Sequence, residues 1–396
     1  MSRNLYEAHR QWSSRPADER YWNLQELANT LQLERTACNE KKVPVKSLIA
    51  VPEGEDIYLK GPRGGQVELT NWSFGQLCVK AEAPSAYLRE LPSTIAAQCL
   101  NHGLRRIDDS AEATVLLRSQ ENKDERRSCR AITSTDYSRI WDTDVVKSIL
   151  PALDHGWITP PARPAVDDPR ARKATKHDIL PNQGNFGLSV REGNMIAPAG
   201  IYRGDRDMFL FLVNPERIID DGNNGGGLMR GVFITNSEVG KASFRVMTFL
   251  LETVCGNHIV WGASEVSELR MVHRGTANRR FGSEMALKLR KYNDAGCITE
   301  ERMIVAARKH ELGADRNEVI EAVFGWKQLQ MTKKDAEGAF DMAEKWEKTA
   351  GAPPTTTWGF VHGLTRYSQL SSYADERLRL DRVGGKLLEK ALALAV

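Results

Sequence analysis

Seven basic side chains crowd one stretch of this sequence. His273, Arg274, Arg279, Arg280, Lys288, Arg290 and Lys291 fall within 19 residues, opposed there only by Glu284. Clustered cations of this kind neutralise phosphates and release the counterions condensed on a polyanion. The chemistry implied is recognition of a nucleic-acid backbone rather than bond breaking. On a helix beginning near Thr276, Arg280, Lys288 and Lys291 share part of one face. Arg245 is expected on a neighbouring strand beside them. Phe244, Phe249, Trp261, Phe281 and Tyr292 lie near the cluster. Single strands are commonly held by a basic groove with aromatic stacking platforms. Most of these aromatics are expected in the core, with Phe281 and Tyr292 the first candidates for exceptions. The plain alternative is a solvated helix face balanced by acids elsewhere in the chain.

Other reactive patterns are weaker. Asp220-Asp221, Glu238 and the Glu265/Glu268 pair are candidate magnesium ligands for a nuclease, which needs several carboxylates converging in space. Cys255 and His258 are a nucleophile and base without an evident orienting group. The run Cys255-Gly256-Asn257-His258 reads more simply as a tight turn closing the core. The string DDGNNGGG at 220–227 lacks the Lys-Ser/Thr of a phosphate loop, and Asp220 and Asp221 would repel phosphate. No H-E-x-x-H or G-x-S-x-G occurs. No catalytic residue, metal ligand or cofactor is assigned, and the reading leans away from an enzyme.

These side chains need a scaffold. Apolar residues at 22, 24, 27, 31 and 33 predict an N-terminal helix, opened near Ser14 or Arg15-Pro16. Val45–Val51 and Asp56–Leu59 read as strands around turns, and Ala113–Arg118 with Arg130–Ser134 as a hairpin. A helix carrying Phe74 and Leu77 is followed, after Ala83-Pro84, by another running from Tyr87 to Leu104. Met208–Val213 and Gly231–Asn236 are strands, while Phe244–Leu251 fits strand or helix. From Glu284 onward the pattern is helical, with Thr332 as a cap. The expected fold class is α+β: a central, mainly antiparallel sheet with N-terminal helices and a C-terminal helical region. The expected division is an α+β region at 1–153, a Pro/basic linker or loop at 154–184, a β-rich core at 185–282 and a helical region at 283–396.

Composition sets the outer limits. The 396 residues are 41% hydrophobic and 27% charged, which suits globular domains with a sizeable core. A net charge of +3 is too mild to prove a polyanion partner, so local clustering decides. The six cysteines, at 38, 78, 99, 129, 255 and 297, form no C-x-x-C pair. Scattered thiols fit a reducing compartment, hence the cytoplasm, and the role of small buried hydrophobes. The opening residues are too polar for a signal peptide, and no apolar run reaches membrane-spanning length.

The strings FITNSEVGKASFRVMTFLLETVCGNHIVWG and LRMVHRG, within 230–280, resemble a family found in phages and plasmids, domain of unknown function 932. The matching features are Asn236-Ser237, Glu238, Gly240, Arg245, Val254-Cys255, Asn257 and His273-Arg274-Gly275. WSFGQLCVKAEAPSAYLRELP at 72–92, RAITSTDYSRIWDTDVVKSILP at 130–151 and TTTWGFVHGLTRYSQ at 355–369 extend the resemblance over most of 65–370. The resemblance implies a mobile-element setting and no particular reaction. Together with the basic cluster it predicts a nucleic-acid-binding accessory protein of phage or plasmid DNA metabolism, with single-strand binding or annealing as the sharper form. DNA is the expected partner, with no membrane, and self-association is left open. The rival expectations are a metal-dependent nuclease and a protein-interaction factor countering a host defence.

Overall fold

A computed structural model describes residues 16–61, 65–119, 127–153, 156–159, 163–164, 167–179, 190–198, 200–219, 228–252, 258–260, 269–294, 298–368, 370 and 374–395. Ser14, the 220–227 glycine-rich string, Val254, the Cys255-Gly256-Asn257 turn, Trp261, Glu265, Glu268 and Cys297 lie outside them.

The N-terminal half comprises α1 (Leu24–Ala37), β1 (Cys38–Pro44), β2 (Ala50–Glu53), β3 (Asp56–Lys60), β4 (Gln66–Leu69), α2 (Asn71–Lys80), α3 (Ser85–Leu88), α4 (Ser93–Arg106), β5 (Glu112–Arg118), β6 (Arg127–Thr133) and α5 (Asp142–Leu153). Asn23 opens α1 by accepting a hydrogen bond from the Glu26 amide, so the cap lies later than Ser14 or Arg15-Pro16. The helix expected from Tyr87 to Leu104 is two, because Pro84 and Pro92 each stand directly before a helix start. The strand expected at Val45–Val51 begins with a 3-10 turn, Val45–Ser47, and the strand itself starts at Ala50. The sheet runs β1-β5-β6-β4-β3-β2, with β4·β6 its parallel pair. Helices α2 and α4 bury Leu77, Ala97, Leu100 and Leu104 against Val67, Val115 and Ile132 of its strands.

A small sheet of β7 (Arg163–Pro164), β8 (Arg172–Lys173) and β9 (Met195–Ala197) follows. Its surroundings are pinned by ion pairs. The Arg20 and Asp168 side chains pair while nearly buried. Arg170 reaches Glu26 at 2.5 Å and Arg172 reaches Asp178 at 2.6 Å. The described part of the expected linker is therefore attached to the body of the protein.

The central sheet contains β10 (Ile201–Arg203), β11 (Met208–Ile219), β12 (Leu228–Asn236), β13 (Phe244–Glu252), β14 (His258–Val260) and β15 (Leu269–Met271). The order is β10-β11-β12-β13-β14, with β15 also on β13, all antiparallel. Every residue of β12 is buried. The ambiguous Phe244 run is a strand because its partner β12 holds it from Thr235↔Arg245 to Leu228↔Glu252.

The C-terminal part comprises α6 (Ala277–Asp294), α7 (Ile298–Lys309), α8 (Arg316–Gly325), α9 (Lys333–Ala350), α10 (Thr357–Ser368) and α11 (Ala374–Leu394). Thr332 caps α9 as expected, in a reciprocal box with Asp335. A Cβ on Gly363 of α10 would stand 2.3 Å from the Ala339 carbonyl, so glycine permits the close α9·α10 approach. Together these elements form an α+β protein. One face of the central sheet is covered by Leu27 and Leu31 of α1, Val146 and Ile149 of α5, and Phe281 and Met285 of α6. Helix α6 crosses the 282/283 boundary and packs with the β-rich core. Among the described residues no helix is long and apolar enough to cross a membrane. Cys38, Cys78 and Cys129 are buried as expected, whereas Cys99 on α4 is exposed.

Candidate nucleic-acid interface

The turn Ser237–Ser243 between β12 and β13 is where the two halves meet. Gly240 holds a φ of +84° there, a backbone state that side chains disfavour. The Val239 carbonyl accepts hydrogen bonds from Trp72 Nε1 at 2.9 Å and Gln76 Nε2 at 2.7 Å, both on α2. Tyr137 donates its hydroxyl to the Ser237 carbonyl at 2.7 Å. The segment carrying Tyr137 also pairs with the chain after β15, through Ser138 N to the His273 carbonyl at 3.0 Å.

Two cavities flank this clamp and share Ser134, Tyr137 and Gly240. The first, about 620 Å³, is lined in part by Trp72, Gln76, Lys80, Arg89 and Arg206. The second, about 550 Å³, is lined in part by Lys241, Arg245, Arg270, His273 and Arg274. No Asp or Glu is among the described lining residues of either. Exposed Asp136 and Asp205 adjoin the groove in sequence without lining it. Arg245 and Arg270 face each other in the β13·β15 register, and both direct Nε at Ser243 Oγ, at 3.1 and 3.4 Å. Like charges directly opposite on a sheet repel, so this pairing concentrates positive potential on the groove floor.

The nearby carboxylates are turned inward. Glu238 pairs with Arg130 at 2.8 Å and accepts from the Asp142 amide at 2.9 Å. Arg203 pairs with Glu34 at 2.6 Å, and Asn236 Nδ2 donates to Asp142 Oδ1 at 2.8 Å. Burial, then the charge of Glu238, pushes the Asp142 carboxyl up to about 7. Burial also opposes the Glu238 charge, but Arg130 and Arg203 prevail and hold that carboxyl below its ordinary value.

The structure divides the basic residues expected at the site. Arg245 and Arg274 line the groove, with Arg245 at 5% exposure and Arg274 exposed. His273 lines it too, but not as a cation. Burial pushes its pKa down to about 4, although the Ser138 carbonyl near Nδ1 favours the charged form. Its ring stacks on Tyr137 with centroids 4.9 Å apart. Arg279, Arg280, Arg290 and Lys291 are exposed on α6, and Lys288 is half-buried. The buried residues Ala277, Phe281, Met285, Leu289 and Tyr292 fix the inward face of that helix. The exposed cations form two pairs, roughly 15 Å apart along the axis. Leu287 is exposed between them, and Arg280 is bound to Glu284 at 2.8 Å. Along the axis the exposed cations of α6 therefore fall into two groups. Phe281 and Tyr292 are core residues and present no stacking platform, because α6 needs them to cover the sheet.

Lys80, Arg89, Arg206, Lys241, Arg270 and the aromatics Trp72 and Tyr137 were not singled out by spacing. Lys241 and Arg270 stand inside the strings FITNSEVGKASFRVM and LRMVHRG, so those strings held part of the signal. Among the nuclease candidates, Glu238 is consumed by its buried ion pair. Among the described residues no three His, Cys, Asp or Glu side chains stand together as a metal site.

A family model described as "Domain of unknown function (DUF932)" matches residues 177–376. That is narrower at the N-terminal side than the resemblance over 65–370, so Trp72, Lys80, Arg89 and Tyr137 stand outside the match. No curated protein and no solved structure matches the chain.

Proposed function

Given that the chain belongs to the DUF932 family, which carries no assigned activity, we propose that it is a nucleic-acid-binding protein whose contact surface is the groove beside the Ser237–Ser243 turn. The observation that carries this reading is the pair of adjoining cavities whose described walls hold Lys80, Arg89, Arg206, Lys241, Arg245, Arg270 and Arg274 but no carboxylate. A concave surface with one sign of charge focuses its field and raises the local concentration of a polyanion. Each phosphate neutralised releases condensed counterions, so affinity falls steeply with salt. Arg279 and Arg280, just beyond Arg274, extend the cationic surface onto α6. DNA is the proposed polymer, and an accessory role in the recombination or replication of mobile elements is the proposed setting.

The test is fluorescence anisotropy with labelled single- and double-stranded oligonucleotides across a salt series, with and without magnesium. The expected result is binding that weakens linearly in log affinity against log salt, without need of magnesium. Absence of salt-sensitive binding to either form rejects the reading. Cleavage that requires magnesium replaces it with a nuclease.

A further inference from the structure

The two lobes of the groove differ in chemistry. One carries the cations Lys241, Arg245, Arg270 and Arg274. The other holds Lys80, Arg89 and Arg206 as well, but adds the indole of Trp72, with Lys241 Nζ 5.9 Å from its centroid, and the neutral hydrogen-bonding side chains of Asn71, Gln76 and Thr133. They join at Tyr137 and Gly240, so an occupant of one lobe continues into the other.

Resting on the polynucleotide reading above, we propose that the groove accepts a single strand, with phosphates in the arginine lobe and an unstacked base against Trp72 in the other. Three features carry this. The first is size. At about 620 and 550 Å³ the lobes have small-molecule dimensions, suited to one nucleotide unit each rather than to a duplex. The second is depth. Arg245 lies on the floor at 5% exposure. A narrow chain can lower a phosphate to it, whereas a duplex rests on the rim and meets the exposed Arg206, Arg270 and Arg274. The third is the fixed aromatic. Trp72 is half-buried, and its Nε1–H donates to the Val239 carbonyl at 2.9 Å, so the ring is oriented before any ligand arrives. A base reaches that ring only after leaving its own stack, which is the natural condition of a single strand. The cations supply sequence-independent affinity, and the indole supplies the preference for strands that have bases to offer.

The experiment uses the full chain and three labelled probes of equal length: oligodeoxythymidylate, an abasic deoxyribose-phosphate strand, and the oligodeoxythymidylate·oligodeoxyadenylate duplex. The expected result is roughly tenfold tighter binding of oligodeoxythymidylate than of the other two, the size of one base–aromatic stack. Trp72→Leu brings the ratio of thymidylate to abasic affinity to about one, and this ratio, rather than either affinity alone, reads the stack. Trp72→Phe keeps a ring and most of the advantage, and it stands in if the leucine variant fails to fold. Equal affinity for the thymidylate and abasic strands overturns the single-strand inference and leaves nucleic-acid binding intact, as does preference for the duplex. Failure of all three probes to bind in a salt-sensitive way overturns both.

Discussion

Two sets of arginines stand around the Ser237–Ser243 turn, and their surroundings differ. Inside, Arg130 and Arg203 are almost wholly buried and meet Glu238, Glu34 and Asp142. Outside, Arg245, Arg270 and Arg274 line a cavity with no carboxylate among its described walls. A buried charge without its counterion costs several kcal/mol, so the inner set must be matched to fold at all. Arg245 is as buried as Arg203, whereas Arg270 and Arg274 are exposed and border water and its salt, which screen their repulsion. The inner arginines join the N-terminal sheet to the central one, and the outer ones line the groove. Residue type alone does not separate these roles; the presence of acid in the same cavity does.

The largest expected effect breaks the inner set. Glu238→Gln removes the anion held 2.8 Å from Arg130 and leaves that guanidinium buried. Stability measured by urea unfolding is expected to fall by about 3 kcal/mol, while oligonucleotide affinity of the folded fraction stays unchanged. A drop below about 0.5 kcal/mol would mean that the pair does not join the two halves.

The second effect is on pH dependence. The Asp142 carboxyl sits at about 7 in the folded chain, against an ordinary value of 3.8. Between those values the folded state binds a proton that the unfolded state has released. Stability from this group is thus fully present below the ordinary value and is lost as pH rises toward 7. The loss follows from proton linkage. Asp142→Asn keeps an acceptor for Asn236 and removes the titration. Its urea midpoint is expected to change less between pH 5 and pH 8 than that of the unmodified chain. Parallel pH profiles would refute the assignment.

Third comes the outer set. Arg270→Ala and Arg274→Ala remove exposed side chains and should each move stability by no more than about 0.5 kcal/mol. Each is expected to lower the slope of log affinity against log salt by about one phosphate contact. A slope unchanged in the double variant would place the contact surface elsewhere.

Much of the scaffold was legible because periodicity is local. Leu24, Leu27 and Leu31 mark α1 by their spacing, and Thr332 marks the start of α9 by its side chain. The Phe244 run could not be resolved locally, since what makes it a strand is β12, a partner that no window around Phe244 contains. The site was legible in part. Arg245 and Arg274 were found through their neighbours in sequence. Trp72 and Tyr137 were not, because they reach the groove only when the N-terminal half folds against the turn at 237–243. Phe281 and Tyr292, the first candidates for exceptions to the core, belong to it: adjacency to cations in sequence places them on α6 but not on its outer face. The buried positions of that helix recur every three or four residues, and Phe281 and Tyr292 fall on that series.

The smallest expected effect concerns α6, where sequence density of charge was highest. Arg290 and Lys291 stand roughly 15 Å along the axis from Arg279 and Arg280, with Leu287 exposed between. At about 0.1 M salt, charges separated by more than about 10 Å act nearly independently. The distal pair therefore adds little to a ligand seated at Arg274. Arg290→Ala/Lys291→Ala is expected to weaken oligonucleotide binding by less than about threefold at that salt, and more at about 0.01 M, where screening extends to about 30 Å. Arg279→Ala/Arg280→Ala, next to the groove, is expected to weaken it more at both. If the distal pair matters as much as Arg270 and Arg274 at the higher salt, the ligand runs along α6, and the groove is its end rather than its centre.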